Sequence, residues 1–216
     1  PDNEWLAFGV DTLSRRFYEV HFKNLKSGDI LEQTIPNTTG GVAWASDNQT
    51  IFYTSKNKVT LLSEKIYRHK MGSDFRNDEL VYTENDETYY IGVSRSKSGE
   101  YIIIYNSSTL VSDYHILRAD NPDGKFKNFT PRGTAHEYSI DHYQNKFYIV
   151  TNWNAKNNSL METSENATDI SQTEIQFLGT LQFDFKEHAN PNRPSNTNHH
   201  PVIRKRAAWQ DRTELA

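Results

Sequence analysis

A chain of 216 residues without a single cysteine can hold no disulfide, no thiolate metal site and no cysteine nucleophile; it is long enough for one or two ordinary domains. Its formal net charge of −4 gives no field that favours nucleic acid or an anionic membrane, and no apolar run approaches the ~18 residues that span a bilayer. Hydrophobic residues make up only 35% of the chain, but aromatics reach 12%, and each ring buries a large area on a half-wet sheet face.

Helical periodicity is nearly absent. Short strand-like runs follow one another at 5–10, 16–23, 29–35, 41–46, 50–54, 64–71, 78–84, 89–95, 100–105, 110–118, 125–130, 136–142, 146–151 and 159–163, separated by Gly, Asn, Asp, Ser and Pro clusters. Three hairpins stand out: Val42–Tyr53, Val93–Ile103 and Tyr138–Tyr148. Their turns fall near residues 48, 98 and 144, a spacing of roughly 46–51 residues, and four short strands per period is the pattern of β-propeller blades. The expected fold is all-β, a partial β-propeller of about 3 to 3.5 four-stranded antiparallel blades over residues 1–165. Residues 166–186 are left open as the start of a next blade. Residues 187–216, polar and Pro-bearing, read as a linker or disordered tail. The opening Pro1-Asp2-Asn3-Glu4 has no initiator Met and runs at once into a strand, as expected for a piece of a longer protein.

The run His136 to Tyr148 looks like chemistry, because Ser139, Asp141 and His142 lie together in it. Its alternation instead predicts a hairpin turning at Gln144-Asn145, and neighbours on a strand point to opposite faces, so Asp141 and His142 cannot both serve Ser139. No Gly-x-Ser-x-Gly elbow, His-Glu-x-x-His, Walker loop or Gly-x-Gly-x-x-Gly occurs. The expectation is therefore no catalytic residue, no metal and no cofactor in this chain. Arg68-His69 and His136-Glu137 read as structural pairs within blades.

Four segments in order, Asp11-Thr12-Leu13-Ser14-Arg15-Arg16 with Asn24-Leu25-x-x-Gly28, Val59-Thr60-Leu61-Leu62 leading to Tyr67-Arg68-His69, Leu80-Val81-Tyr82-x-Glu84-x-Asp86-x-Thr88-Tyr89-Tyr90, and His136–Tyr143 continuing to Asn152, resemble the oligopeptidase B branch of the prolyl oligopeptidase family of serine peptidases. The resemblance covers roughly residues 5–160. It implies a seven-bladed propeller capping an α/β-hydrolase domain that carries a Ser-Asp-His triad, in a cytoplasmic enzyme that cleaves short peptides after Arg and Lys. The matched stretch would be part of the gating propeller, and the hydrolase domain, its expected partner, would follow it.

The resemblance places Arg15 and Arg16 on the propeller face toward the hydrolase domain, where ion pairs that are individually weak can form and break as the domains open; their structural alternative is a solvated turn after Asp11-Thr12. Glu84, Asp86 and Glu87 form an acidic cluster beside Tyr89-Tyr90, candidate carboxylates along the access route of a cationic substrate; their structural alternative is a solvated blade-edge loop. Short basic peptides are the expected substrate of the parent, with no nucleic acid and no membrane. The alternative from another class is a stand-alone propeller that binds protein or glycan.

Overall fold

The computed structural model describes residues 2–130, 132, 136–153, 155 and 158–165, with the backbone alone of 176–180. The described chain is antiparallel β throughout, with one 3-10 turn, Phe75–Asn77, and no α-helix among the described residues.

Six strands form the first sheet in chain order: β1 (Trp5–Val10), β2 (Tyr18–Asn24), β3 (Ile35–Trp44), β4 (Thr50–Lys56), β5 (Ser63–Lys70) and β6 (Glu79–Thr83). The second sheet holds β7 (Tyr90–Arg95), β8 (Tyr101–Ser107), β9 (Ser112–Arg118) and β10 (Lys127–Asn128); the third holds β11 (Tyr138–Tyr143), β12 (Lys146–Thr151), β13 (Ser159–Ser164) and β14 (Gln176–Thr180). Every neighbouring pair is a simple antiparallel meander. The β11–β12 turn is Gln144-Asn145, both at positive φ (49° and 62°), the two-residue geometry that matches strand twist. Gln176–Thr180 pairs with β13 and is the outer strand of the third sheet. Residues 166–175 and 181–216, the tail included, lie outside the described residues.

The six-stranded sheet departs from the expected grouping by fours. The run 29–35 makes only one isolated bridge, Lys23 to Ile30, and strand begins at Ile35 and continues to Trp44. The first part of β3 pairs with β2 (Val20 to Ile35, Tyr18 to Thr38) and the last with β4 (Val42 to Tyr53, Trp44 to Ile51). The register breaks between, at Gly40-Gly41. Gly40 has φ +89°, and a Cβ there would sit 2.8 Å from the Tyr18 ring; a Cβ on Gly9 would lie 2.5 Å from the Gly40 Cα. Two glycines thus let one strand leave a partial blade (β1, β2 and the start of β3) and open the next.

Three apolar clusters lie between these layers. Val20, Phe22, Ile35, Ile51 and Tyr53 fill the fold of the first sheet on itself. Ala43, Phe52 and Ile66 meet Ile91, Ile102, Ile104 and Leu117 between the first and second sheets. Tyr101, Ile103, Ile116 and Phe129 meet Tyr138, Phe147, Ile149 and Met161 between the second and third. The second strands of the first two full blades are covered on both faces, and so β4 and β8 read as unbroken apolar runs, Thr-Ile-Phe-Tyr and Tyr-Ile-Ile-Ile, whereas β12 in the third sheet alternates. Among the described residues the stack is a partial propeller of three to three and a half blades whose sheets do not close into a ring.

Candidate functional site

The register of the first sheet gathers the sequence candidates on one rim. Val10 faces Glu19, Tyr18 faces Thr38, Thr38 faces Ser55, Lys56 faces Ser63 and Lys65 faces Thr83. The turn 11–17, the turn 57–62 and the segment 84–89 therefore emerge from the same edge.

Asp11 shapes the first turn. Its Oδ1 accepts the N–H groups of Leu13 (3.1 Å) and Arg15 (3.3 Å), and its Oδ2 accepts that of Arg16 (2.7 Å). Burial alone would raise the Asp11 pKa, but these backbone donors outweigh it and hold it below the usual carboxylate value. Ser14 and Arg16 stand at positive φ (54° and 60°), and Lys56 Nζ donates to the Arg16 carbonyl at 3.1 Å. Both arginine side chains are exposed, and among the described residues neither guanidinium makes an ion pair.

The acidic run is divided by its surroundings. Asp86 is exposed and accepts from Thr88 through N (2.9 Å) and Oγ1 (2.6 Å), which lowers its pKa. Glu87 is exposed. Both border an open groove of about 230 Å³ with Glu64, Lys65 and Tyr89. Glu84 is 8% exposed and faces inward. It takes a two-pronged ion pair from Arg132, Nη1 to Oε1 at 3.2 Å and Nη2 to Oε2 at 2.5 Å.

Arg132 Nε also donates to Asp113 Oδ2, and its guanidinium lies 4.4 Å from the Tyr89 ring centroid. Asp113, on β9, is 3% exposed and also contacts the Asn106 amide and His115 Nε2. Burial would raise both carboxyl pKa values; hydrogen bonds from Arg132 to Glu84, and from His115, Arg132 and Asn106 to Asp113, overcome it and hold both low. Sequence reasoning missed Arg132 and Asp113. The signal was weak: one acid at an inward strand position and an arginine between Pro131 and Gly133. The finding removes Glu84 from a solvent-facing access-route cluster, because its charge is bound to Arg132.

The tempting triad is dispersed as its strand geometry requires. Ser139 is exposed, and Asp141 accepts the Lys97 N–H at 2.8 Å. His142 is fully buried, with Nδ1 2.8 Å from Ser98 Oγ and Nε2 2.8 Å from Glu165 Oε1. Ser98, His142 and Glu165 have the connectivity of a nucleophile, base and acid, but Ser98 Oγ also accepts the Glu100 N–H and meets Ser96 Oγ, and the trio joins the second sheet to the third. Glu100, His142 and Glu165 bring ligand atoms within 4.8 Å of one another. Arg118 stands 3.3 Å from Glu100 and 3.9 Å from Glu165, so the protein's own cation already takes the place a metal would. Arg68 and His69 are structural as expected: Arg68 pairs with Glu79 and Asp123, and His69 bonds Asp78 at 2.8 Å while stacking on Phe22. His136 is buried against Tyr138, and that burial lowers its pKa.

These layers are those of a partial β-propeller. The family described as prolyl oligopeptidase, N-terminal beta-propeller domain, matches residues 1–177, and the chain belongs to the prolyl oligopeptidase family as part of that domain. It is 36% identical over 163 residues to dipeptidyl aminopeptidase BI of Pseudoxanthomonas mexicana, covering 76% of this chain and 22% of that protein. It is 30% identical over 162 residues to Protease 2 of Moraxella lacunata, covering 74% and 23%. Among solved structures, oligopeptidase B from Leishmania major superposes with a TM-score of 0.74 at 21% identity over 82% of this chain and 25% of that one; at this identity the likeness is one of fold. The chain spans about a quarter or less of the length of these proteins.

Proposed function

We propose that this chain is part of a propeller that gates access to the active centre of a serine oligopeptidase, and that the parent cleaves short peptides after Arg or Lys in the cytoplasm. The partner of the rim is the hydrolase domain of the same protein. The observation that carries the reading is the pair Arg15 and Arg16, exposed, without ion-pair partners among the described residues, and held on a turn that Asp11 builds. Arginine meets carboxylates in a two-pronged geometry, and each exposed pair contributes only ~0–1 kcal/mol, weak enough to break and remake during opening. Asp86 and Glu87, on the same rim, draw cationic substrates toward the passage. Family membership and the likeness to Protease 2 support this reading over a stand-alone protein- or glycan-binding propeller.

A second reading keeps fold and partner and changes the cut. The likeness to dipeptidyl aminopeptidase BI favours a parent that releases dipeptides from free amino termini. Assaying the parent on one peptide with free and acetylated amino terminus separates them. Cleavage of both forms after Arg or Lys fits the first reading; loss of all cleavage on acetylation fits the second; no cleavage of either form contradicts both.

A further inference from the structure

The rim that carries Arg15 and Arg16 has an apolar pattern of its own. One hairpin of every blade turns there: β1–β2, β4–β5, β8–β9 and β12–β13. Ser107 pairs with Tyr90 and with Ser112, which sets the turn 108–111 beside the segment 84–89. The Ser112 N–H reaches the His136 carbonyl at 3.4 Å, which brings the Tyr138, Thr151 and Ser159 edge of the third sheet alongside. The four turns share one construction. Asp11 Oδ1 accepts the Leu13 N–H at 3.1 Å, Asn57 Oδ1 that of Val59 at 2.8 Å, and Thr151 Oγ1 that of Trp153 at 3.1 Å. In the β8–β9 turn Ser108 Oγ accepts the Val111 N–H at 3.2 Å. Two positions after each locking residue stands a large hydrophobic side chain in solvent: Leu13 (74% exposed), Val59 (89%), Leu110 (71%) and Trp153 (38%).

The locking oxygen fixes the backbone whatever side chain stands at the tip, so local structure does not call for an apolar one. Single exposed apolar residues are ordinary on a protein surface, but one at the same place in four successive blades is a pattern. Among the described residues the four most exposed large hydrophobic side chains are Val59, Leu13, Leu110 and Tyr90, and Tyr90 opens β7 on this same rim. On the opposite rim Leu25, Ile30 and Tyr143 are only 50%, 54% and 51% exposed.

We infer that the four tips are the apolar half of a docking face, and that its occupant is the hydrolase domain of the parent. Cations flank the tips, Arg15 and Arg16 beside Leu13 and Lys58 beside Val59, so the occupant is apolar where it meets the tips and carries carboxylates around them. A body that reaches across four blades is domain-sized, and this chain makes up only 22% and 23% of the two curated relatives. The face takes its partner from the reading of Arg15 and Arg16 above and adds what ion pairs cannot supply. Salt screens the arginine pairs, whereas contact between apolar tips and an apolar surface persists at high ionic strength.

Hydroxyl-radical footprinting of the wild-type parent, read by mass spectrometry, tests the face directly. Leu13 and Leu110 are expected to be oxidised several-fold less than Leu25, although they are the more exposed in this part of the molecule. Small-angle scattering of the parent with Leu13→Ser, Val59→Ser and Leu110→Ser together gives the second readout. Its open population is expected to rise by about tenfold for each tip that closure buries fully, at low and high salt alike. Leu25→Ser with Ile30→Ser, on the opposite rim, is expected to leave the scattering unchanged. Tips oxidised as readily as Leu25, scattering that the triple variant does not alter, or an effect that salt abolishes overturns the face. A triple variant that changes only the mass of the particle assigns the tips to a second copy and overturns the hydrolase domain as occupant. A parent that fails to cleave after Arg or Lys leaves these outcomes untouched, because neither readout contains a peptidase step.

Discussion

Glu84 and Arg132 stand 48 positions apart in the chain and close a two-pronged ion pair at the rim of the blades. Glu84 follows the last strand of the first sheet, and Arg132 also holds Asp113 on β9 of the second; one side chain therefore fastens two blades. Replacing it by Ala leaves two carboxylates, 8% and 3% exposed, without their counter-ion. Breaking a buried pair on one side costs about 3–5 kcal/mol, and the guanidinium's partial exposure reduces this to roughly 2–4 kcal/mol. Urea denaturation of Arg132→Ala is expected to show that loss, and Arg132→Lys to recover less than half of it, because a point charge cannot fork to two carboxylates.

Acid sensitivity follows from the same group. Glu84 and Asp113 titrate below the ordinary carboxylate range in the folded state, because hydrogen bonds from Arg132 and their other donors outweigh burial. Depressed carboxyl groups stabilise the fold above their unfolded pKa values, and that stabilisation is lost as pH falls through the folded ones. The melting temperature is expected to fall from about pH 5 toward pH 3. In Arg132→Ala the guanidinium no longer opposes burial, so both carboxyl pKa values rise from their wild-type positions while His115 and Asn106 at Asp113 and the Asp86 N–H at Glu84 still hold them down, and the variant loses less stability than wild type between pH 5 and pH 3. A variant that does not gain stability relative to wild type over that interval contradicts the clamp.

The glycine joint makes a different prediction. A methyl group on Gly9 meets the Gly40 backbone at 2.5 Å, and backbone in a paired strand has little room to yield. Gly9→Ala is expected to cost about 1–3 kcal/mol by overpacking. Gly41→Ala, one residue from Gly40, meets nothing within 4 Å and serves as the control. Comparable midpoints for the two variants would show that β3 does not depend on this close approach.

Alternation and turn chemistry carried most of the architecture in the sequence. Gln144-Asn145 between Tyr143 and Lys146 is a hairpin signal that depends on two adjacent residues, and the structure has it there. The long β3 was not legible, because Gly40-Gly41 has the composition of a loop and only the contact between Gly9 and Gly40 shows that the strand continues through it. The division of Glu84 from Asp86 and Glu87 was hidden for a related reason. Three acids within four residues look alike, and the residue that selects one of them lies in a distant turn. That Asp141 and His142 cannot both serve Ser139 was legible, since strand geometry is local, whereas the partners of His142 come from the β7–β8 turn (Ser98) and from the residue after β13 (Glu165).

Arg15 and Arg16 separate function from stability. Arg16 sits at φ 60°, a conformation that costs a non-glycine residue roughly 1 kcal/mol, so Arg16→Gly is expected to keep or slightly raise the melting temperature while deleting the side chain. In the parent, Arg15→Ala combined with Arg16→Gly is expected to change kcat or KM on peptides, with the effect shrinking as salt screens the wild-type pairs. Unchanged kinetics at both low and moderate salt would remove the gating role.

The most direct test is hydrolysis by the purified parent protein of acetylated short peptides containing one Arg or Lys, beside the same sequence inside a folded protein, with and without a serine-directed covalent inhibitor. The account predicts inhibitor-sensitive cleavage after the basic residue of the short peptides, none of the folded protein, and none by the 216-residue chain alone, which has no Gly-x-Ser-x-Gly segment. Cleavage that ignores basic residues, that extends to the folded protein, or that survives the inhibitor would contradict it.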